Sequence, residues 1–111
     1  MFYKQEGTGY RQAVKGVRLK TLVHGERTLL TEFKLEAGNT VPRHSHEEEQ
    51  TGYLVSGGIE LTVGDRTYDV RPGDSWCIPP NVEHEADIVE DSVAVEVFSP
   101  VRKDYLPEQG G

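Results

Sequence analysis

The sequence predicts an all-β protein, a sandwich or small barrel, on three observations. Apolar and polar residues alternate at period two over short runs, and glycine, proline and asparagine turns interrupt those runs at close spacing. In addition, no stretch of ten or more residues shows a helical period before the C-terminal tail. At 111 residues the chain is expected to form one domain with one core. Residues 1–16 read as a lead-in, 17–99 as the barrel and 100–111 as a tail.

Each element follows from its residues. The lead-in is polar and carries Gly7, Gly9 and Gly16, leaving room for one short strand. From Val17 to His24 the alternation of Val17, Leu19, Thr21 and Val23 with their neighbours predicts a strand, turned by Gly25-Glu26. Thr28 to Glu36 predicts a second, ending at Ala37-Gly38-Asn39. Gly52 to Ser56 is a short strand that Gly57-Gly58 is expected to close in a turn. Ile59–Val63, Gly64-Asp65 and Arg66–Val70 make a hairpin whose Gly-first turn suits type II′ geometry. In Val70-Arg-Pro-Gly-Asp74, Pro72 fixes one dihedral and Gly73 is free to take positive φ. Trp76-Cys77-Ile78 reads as a brief buried strand. His84–Val89 and Val93–Phe98 read as a final pair around the acidic turn Glu90-Asp91, and Pro100 and Pro107 limit any helix in the tail to about a turn.

Composition narrows the partners. Asp and Glu number 19 against 12 Lys and Arg, a net charge of −7, which argues against a nucleic-acid or anionic-membrane partner. Cys77 is the sole cysteine, so an internal disulfide and a cysteine-ligated zinc are both excluded. The expected place for Cys77 is as a small buried hydrophobe beside Trp76. The first residues lack a basic region followed by an apolar core, and no apolar run approaches membrane length, so a cytoplasmic protein is expected.

Chemistry concentrates in Gly38 to Gly57. His44 and His46, at i and i+2 on an extended segment, share one face, and Gln50 joins them if Glu47, Glu48 and Glu49 keep the strand register. Two imidazoles and an amide oxygen suit a divalent transition metal; the competing reading is a pair of histidines on a solvated surface. Glu48 and Glu49 are the rival ligands if the register slips, and otherwise form a solvated acidic turn. Arg43 has the opposite parity and reads first as a surface charge, and His24 reads as an exposed histidine.

The spacing Gly38, His44, His46, Gln50, Gly57 resembles the first motif of the cupin superfamily, with Gln50 where the family usually has Glu. Gly73, Pro79, Asn81 and His84 resemble the second, with Asn81 in place of Gly and Ile88 in place of the closing Asn. Asn81 is a mild departure because Asn tolerates left-handed backbone. The resemblance implies a cupin double-stranded β-helix, a small jelly-roll barrel. It also implies one divalent metal ion, zinc, nickel, manganese, iron or copper, held by His44, His46, Gln50 and His84. An amide in place of a carboxylate leaves the ion's full charge available as a Lewis acid.

On the last strand Glu96 stands among apolar residues, which is costly unless it faces solvent or lines a polar cavity. The order Glu96-Val-Phe98-Ser-Pro100-Val-Arg102-Lys-Asp104-Tyr-Leu106 is similar to the C-terminal signature of small pectin-degradation cupins, which convert an unsaturated uronate to its open-chain keto form. That resemblance implies Glu96 and Arg102 as catalytic residues and Phe98 and Arg102 as substrate-binding ones, with Glu standing where the family carries Asp. The expected function is a metal-dependent isomerase or tautomerase acting on a small anionic substrate. The alternatives are an oxygenase using iron, nickel or copper, and a sensor that binds without chemistry. The resemblance further implies a homodimer packed sheet on sheet.

Overall fold

In the computed structural model, residues 1–106 are described, and among them eight strands and one 3₁₀ turn form in order. They are β1 (Arg11–Val14), β2 (Val17–His24), β3 (Leu29–Leu35), β4 (Thr40–His44), β5 (Glu49–Val63), β6 (Arg66–Val70), β7 (Ser75–Ile78) and β8 (His84–Ser99), then the turn Lys103–Tyr105. The fold is all-β, as the alternation predicted. Strands run antiparallel in the order β1-β2-β3-β8-β5-β6, with β4 added to β8 and β7 to β5. Among these residues no helix is long and apolar enough to cross a membrane. The last five residues of the expected tail lie outside the described chain.

Alternation does the sorting that the sequence foretold. Along β3, Leu29, Thr31, Phe33 and Leu35 are buried and the residues between them are half-buried; along the end of β8, Ala94, Glu96 and Phe98 point inward while Val93, Val95 and Val97 face out. Burial of a residue such as Leu54 or Phe98, which retain 0% and 1% exposure, contributes about 1.5–3 kcal/mol each. The core is drawn from β2, β3, β5 and β8, with Val70 from β6.

Two expected turns are instead bends inside long strands. Gly57-Gly58 and Glu90-Asp91 do not reverse the chain: β5 and β8 pair with each other along nearly their whole lengths, with register shifts at Leu54/Ser56, Ser56/Gly58 and Gly58/Ile59. The physical cause is close approach. Gly57 takes φ of 91°, and a Cβ there would fall 2.2 Å from Ser92 Oγ and 2.4 Å from Asp91 O. Bulges bend a strand and sharpen its twist. The first part of β5 therefore pairs with β7 and its second part with β6, while β8 pairs first with β4 and then with β3. Two bent strands thus serve both walls of the barrel, and side chains from distant parts of the chain meet inside it.

The short-range turn chemistry matches expectation. Gly64 alone of the Gly64-Asp65 pair has positive φ, at 62°, which is the type II′ pattern. At Arg71–Asp74, Gly73 sits at 95° and Asp74 N–H donates to Arg71 O at 2.9 Å. Asn81 adopts φ of 65°, the left-handed region that Asn tolerates, and its N–H donates to His46 O at 2.8 Å. That bond ties the β7–β8 connection to the His-bearing segment. Ile88, at the second-motif departure, is a core residue with 3% exposure.

Cys77 corrects a sequence expectation, because it is exposed rather than buried. It pairs with Thr51 across β5 and β7, and alternation sends Trp76 and Ile78 inward and Cys77 out.

Candidate metal centre

The three histidines of the two motifs converge. Their ligand atoms lie within 4.8 Å of one another, and ring centroids are separated by 4.2 Å for His44 and His84, 5.0 Å for His46 and His84, and 5.6 Å for His44 and His46. The route differs from the continuous strand expected. β4 stops at His44, the chain turns through Ser45 to Glu48, and β5 restarts at Glu49. His46 thus reaches the group from a loop, and Gln50 from a separate strand. Their shared direction comes from that turn rather than from strand parity. Glu48 and Glu49, the rival ligands, are not members of the converging group.

Each imidazole is aimed by the backbone. Nδ1 of His44 meets Pro42 O at 2.7 Å, Nδ1 of His46 meets Glu48 O at 2.9 Å, and Nδ1 of His84 meets Val82 O at 2.9 Å. A carbonyl only accepts, so the three Nδ1 atoms carry the protons and the three Nε2 atoms carry free lone pairs. Fixing a tautomer through the far nitrogen is how metal-ligating histidines are oriented.

Burial disfavours the charged form of two of the rings, His84 and His46. It pushes His84 down to about 4, with backbone bonding to Val82 opposing the shift, and it also lowers His46. Two further observations fit a cation among them. His84 Nε2 is buried with no hydrogen-bond partner, and such an orphaned acceptor requires an explanation. His46 Nε2 faces Gln50 Oε1 at 3.0 Å, and with the tautomer above this sets two lone pairs against each other. An ion between them resolves that conflict, and imidazole nitrogen with amide oxygen suits a divalent transition metal.

Gln50 joins this group to the carboxylate half of the site. While its oxygen faces His46, its Nε2 donates to Glu96 Oε1 at 2.5 Å. A Glu at this position would set two carboxylates face to face, and both could not remain ionised. Trp76 Nε1 also donates to Glu96 Oε1, at 3.2 Å. Glu96 retains 8% exposure and lines the inner cavity, so the cavity alternative for this residue is the one the fold adopts. Burial pushes its carboxyl up to about 7, and the bonds from Gln50 and Trp76 and the charge of Arg102 hold that rise in check.

Phe98 and Arg102 complete the wall. Phe98 is buried with its ring centroid 5.7 Å from that of His46. Arg102 lies over the Tyr105 ring at 4.1 Å and over Phe98 at 5.5 Å, an attraction between cation and ring face. Its Nε donates to Asp104 at 3.2 Å, and among the described residues its terminal nitrogens have no hydrogen-bond partner. Arg43 pairs with Glu83 at 2.7 Å and Glu85 at 3.3 Å on the surface, and His24 is exposed.

Sequence reasoning overlooked Trp76, Gly52 and Tyr105. Gly52 faces Trp76 across β5 and β7, and a Cβ at Gly52 would lie 2.2 Å from Trp76 Cε2. The missing side chain is what lets the indole lie flat enough to reach Glu96. A lone Gly inside a strand pattern marks close approach, and that was the available signal.

Comparison with known proteins agrees with this fold. The chain is 39% identical over 72 residues to the H2HPP isomerase of Bacillus subtilis, a match that covers 64% of this chain and 30% of that protein. It therefore spans under a third of that relative's length. The solved structure of KdgF from a Halomonas species superposes with a TM-score of 0.89 at 28% identity, over 96% of this chain and 100% of that one. An RmlC-like cupin from Shewanella frigidimarina gives 0.89 at 25% identity, over 95% of each chain. The sequence profile described as a cupin domain matches residues 31–100, and with the barrel and the three converging histidines in view, the chain belongs to the cupin family.

Proposed function

We propose that this cupin is a metal-dependent isomerase that moves a proton between oxygen and carbon of a small enolisable acid, with ketonisation of an unsaturated uronate as the leading case. The observation that carries this reading is Glu96. It is a buried carboxyl with a proton affinity near neutrality, held by two side-chain donors beside three imidazoles whose Nε2 atoms are free. A general acid–base works best when its pKa lies near the operating pH.

His44, His46, Gln50 and His84 are the residues that would hold the ion, which when bound supplies Lewis acidity to an oxygen of the acid. Everything else falls to the chain itself. Glu96 takes the proton from the enol oxygen and returns it to carbon, so that a C–H bond and a carbonyl replace an O–H bond and a carbon–carbon double bond. Arg102, stacked on Tyr105, presents its free nitrogens to the carboxylate. Phe98 supports both. Two similar proteins, the H2HPP isomerase of Bacillus subtilis and KdgF of a Halomonas species, lie in the same direction.

The test is to follow the ultraviolet absorbance of unsaturated galacturonate with metal-loaded protein. Faster decay than in buffer, with zinc-loaded protein under nitrogen, is expected; no acceleration rejects the reading. A homodimer belongs to the same proposal, because the outer face of β5 and β8 leaves Tyr53 49% and Val55 48% exposed beside half-buried Val93, Val95 and Val97. Sedimentation at micromolar concentration is expected to give twice the chain mass.

A further inference from the structure

Arg102 stands outside the sheet that supports the rest of the centre. β8 ends at Ser99, and among the described residues no strand pairs with residues 100–106. The main-chain bonds of this segment are those of a single turn, Tyr105 N–H to Arg102 O at 3.0 Å and Leu106 N–H to Lys103 O at 3.1 Å. Val101, Tyr105 and Leu106 pack against the core, but apolar contact is non-directional. It holds the segment down without fixing where along the barrel edge it lies.

Directional bonds come from the opposite edge of the sheet. Arg11 pairs with Leu19, and Leu19 with Phe33, so the Arg11 side chain lies on the inward face with theirs. A guanidinium on that face needs acceptors, and residues 104–106 supply them. Arg11 donates from Nη2 to Asp104 O at 2.5 Å and from Nη1 to Leu106 O at 3.4 Å. Between these two, Thr21, which pairs with buried Thr31, donates from Oγ1 to Tyr105 O. Two side chains thus grip three successive carbonyls. The grip bears on Arg102 through Tyr105, whose ring centroid lies 4.1 Å from the Arg102 guanidinium and 6.0 Å from that of Arg11. Arg102 and Tyr105 line the inner cavity, whereas Arg11 lines only the groove outside it. Arg11 therefore acts on the cavity's contents only through the segment it holds.

We propose that Arg11 is a positioning residue of the site. Its forked guanidinium, spanning Asp104 O and Leu106 O with the bond from Thr21 between them, sets the register of residues 100–106 and so aims Arg102 at the substrate carboxylate. This deepens the proposed function and rests on the carboxylate-binding role given there to Arg102.

Nuclear magnetic resonance of the zinc-loaded protein tests the aim of Arg102 with no ligand present. The Tyr105 ring current should displace the Arg102 Nε–H signal, assigned by its loss in Arg102→Gln, from the position of a solvated arginine. Arg11→Gln should return it most of the way, and Thr21→Val should move it in the same direction. Arg18→Gln, at an exposed position of β2, should leave it in place. Should Arg11→Gln fail to fold, Thr21→Val carries the same test. Calorimetric titration of these proteins with galacturonate reads the consequence: Arg11→Gln should weaken binding about tenfold, the scale of one impaired hydrogen bond to a charged group. Added to Arg102→Gln, it should weaken binding no further. A signal unmoved in both Arg11→Gln and Thr21→Val, or losses of affinity that multiply in the double variant, would overturn the positioning role. A signal that moves in a protein that neither binds galacturonate nor accelerates ketonisation rejects the uronate reading and leaves the role of Arg11 standing; ketonisation with an unmoved signal does the reverse.

Discussion

The two halves of the centre are held in place by different means. On one side, three imidazoles are each fixed by a bond from Nδ1 to a main-chain carbonyl. On the other, Glu96 is fixed only by side chains, Gln50 and Trp76, and Trp76 is itself seated against the bare backbone of Gly52. Main-chain carbonyls are set by the strands and turns and survive most substitutions. Side-chain donors do not. The histidine half should therefore fail only when a histidine is removed, and the carboxylate half should respond to changes at neighbours that touch no substrate.

The largest effect expected comes from the histidine half. His84→Ala should lower metal affinity more than the 10–100-fold typical of losing an outer partner of a ligand, and metal content after dialysis against a weak chelator is the measurement. Circular dichroism should show the fold intact, because the bond lost at Val82 O lies at a solvent-accessible loop. On the carboxylate half, Glu96→Gln should reduce turnover by about 10²–10⁴-fold while leaving metal content near wild type. Equal loss of metal in both variants would erase the distinction drawn between the halves.

How far each half could be read from sequence follows from the same difference. His44 and His46 lie close together and were identifiable from local pattern, whereas His84 was identifiable only through the resemblance of its segment to the second cupin motif. Glu96 was legible as a charged residue on an apolar strand face, a conflict that demands a cavity or solvent. Trp76 and Gly52 were not, since their role depends on a pairing between β5 and β7 separated by a hairpin and a turn. The bends at Gly57 and Glu90 were misread as turns for a related reason. Glycine pairs and acidic pairs signal reversal in isolation, and only the close approach of Gly57 to Ser92 shows that the strands continue. Cys77 was misplaced because the burial of its neighbours Trp76 and Ile78 says nothing of the face between them.

Next in size is an effect of pH on the metal-free protein. Glu96 rises from 4.5 to about 7 on folding, so its neutral form is favoured in the fold. Its contribution is fully present below pH 4.5 and is lost as pH climbs to 7, a change of about 3 kcal/mol. His84 falls from 6.5 to about 4, and its contribution is lost in the opposite direction, as pH drops from 6.5 to 4. The two largely offset each other between pH 4.5 and 6.5. Subtraction isolates the carboxylate: the stability of wild type minus that of Glu96→Gln, from urea unfolding with chelator present, should decline by about 3 kcal/mol from pH 4.5 to 7. A difference that stays constant would show that Glu96 keeps an ordinary acidity and that the carboxylate half is not as dry as its burial indicates.

The smallest effect is the most discriminating one, because it leaves every candidate ligand and reacting group in place. Trp76→Phe keeps an aromatic side chain at this position and removes the N–H that reaches Glu96, together with the indole atoms nearest Gly52. Hydrogen bonds to charged groups are worth about 1.5–3 kcal/mol, and with Gln50 still donating, turnover should drop by about tenfold with KM nearly unchanged. Gly52→Ala reaches the same bond from the other side. Its new Cβ would overlap the indole and push it away, which adds an overpacking cost of about 1–3 kcal/mol to a similar loss of turnover. Adding Gly52→Ala to Trp76→Phe should bring little further loss of turnover, because the bond is already gone. If instead the two losses of turnover multiply, Trp76 serves the site through packing rather than through its N–H, and Glu96 is held by Gln50 alone.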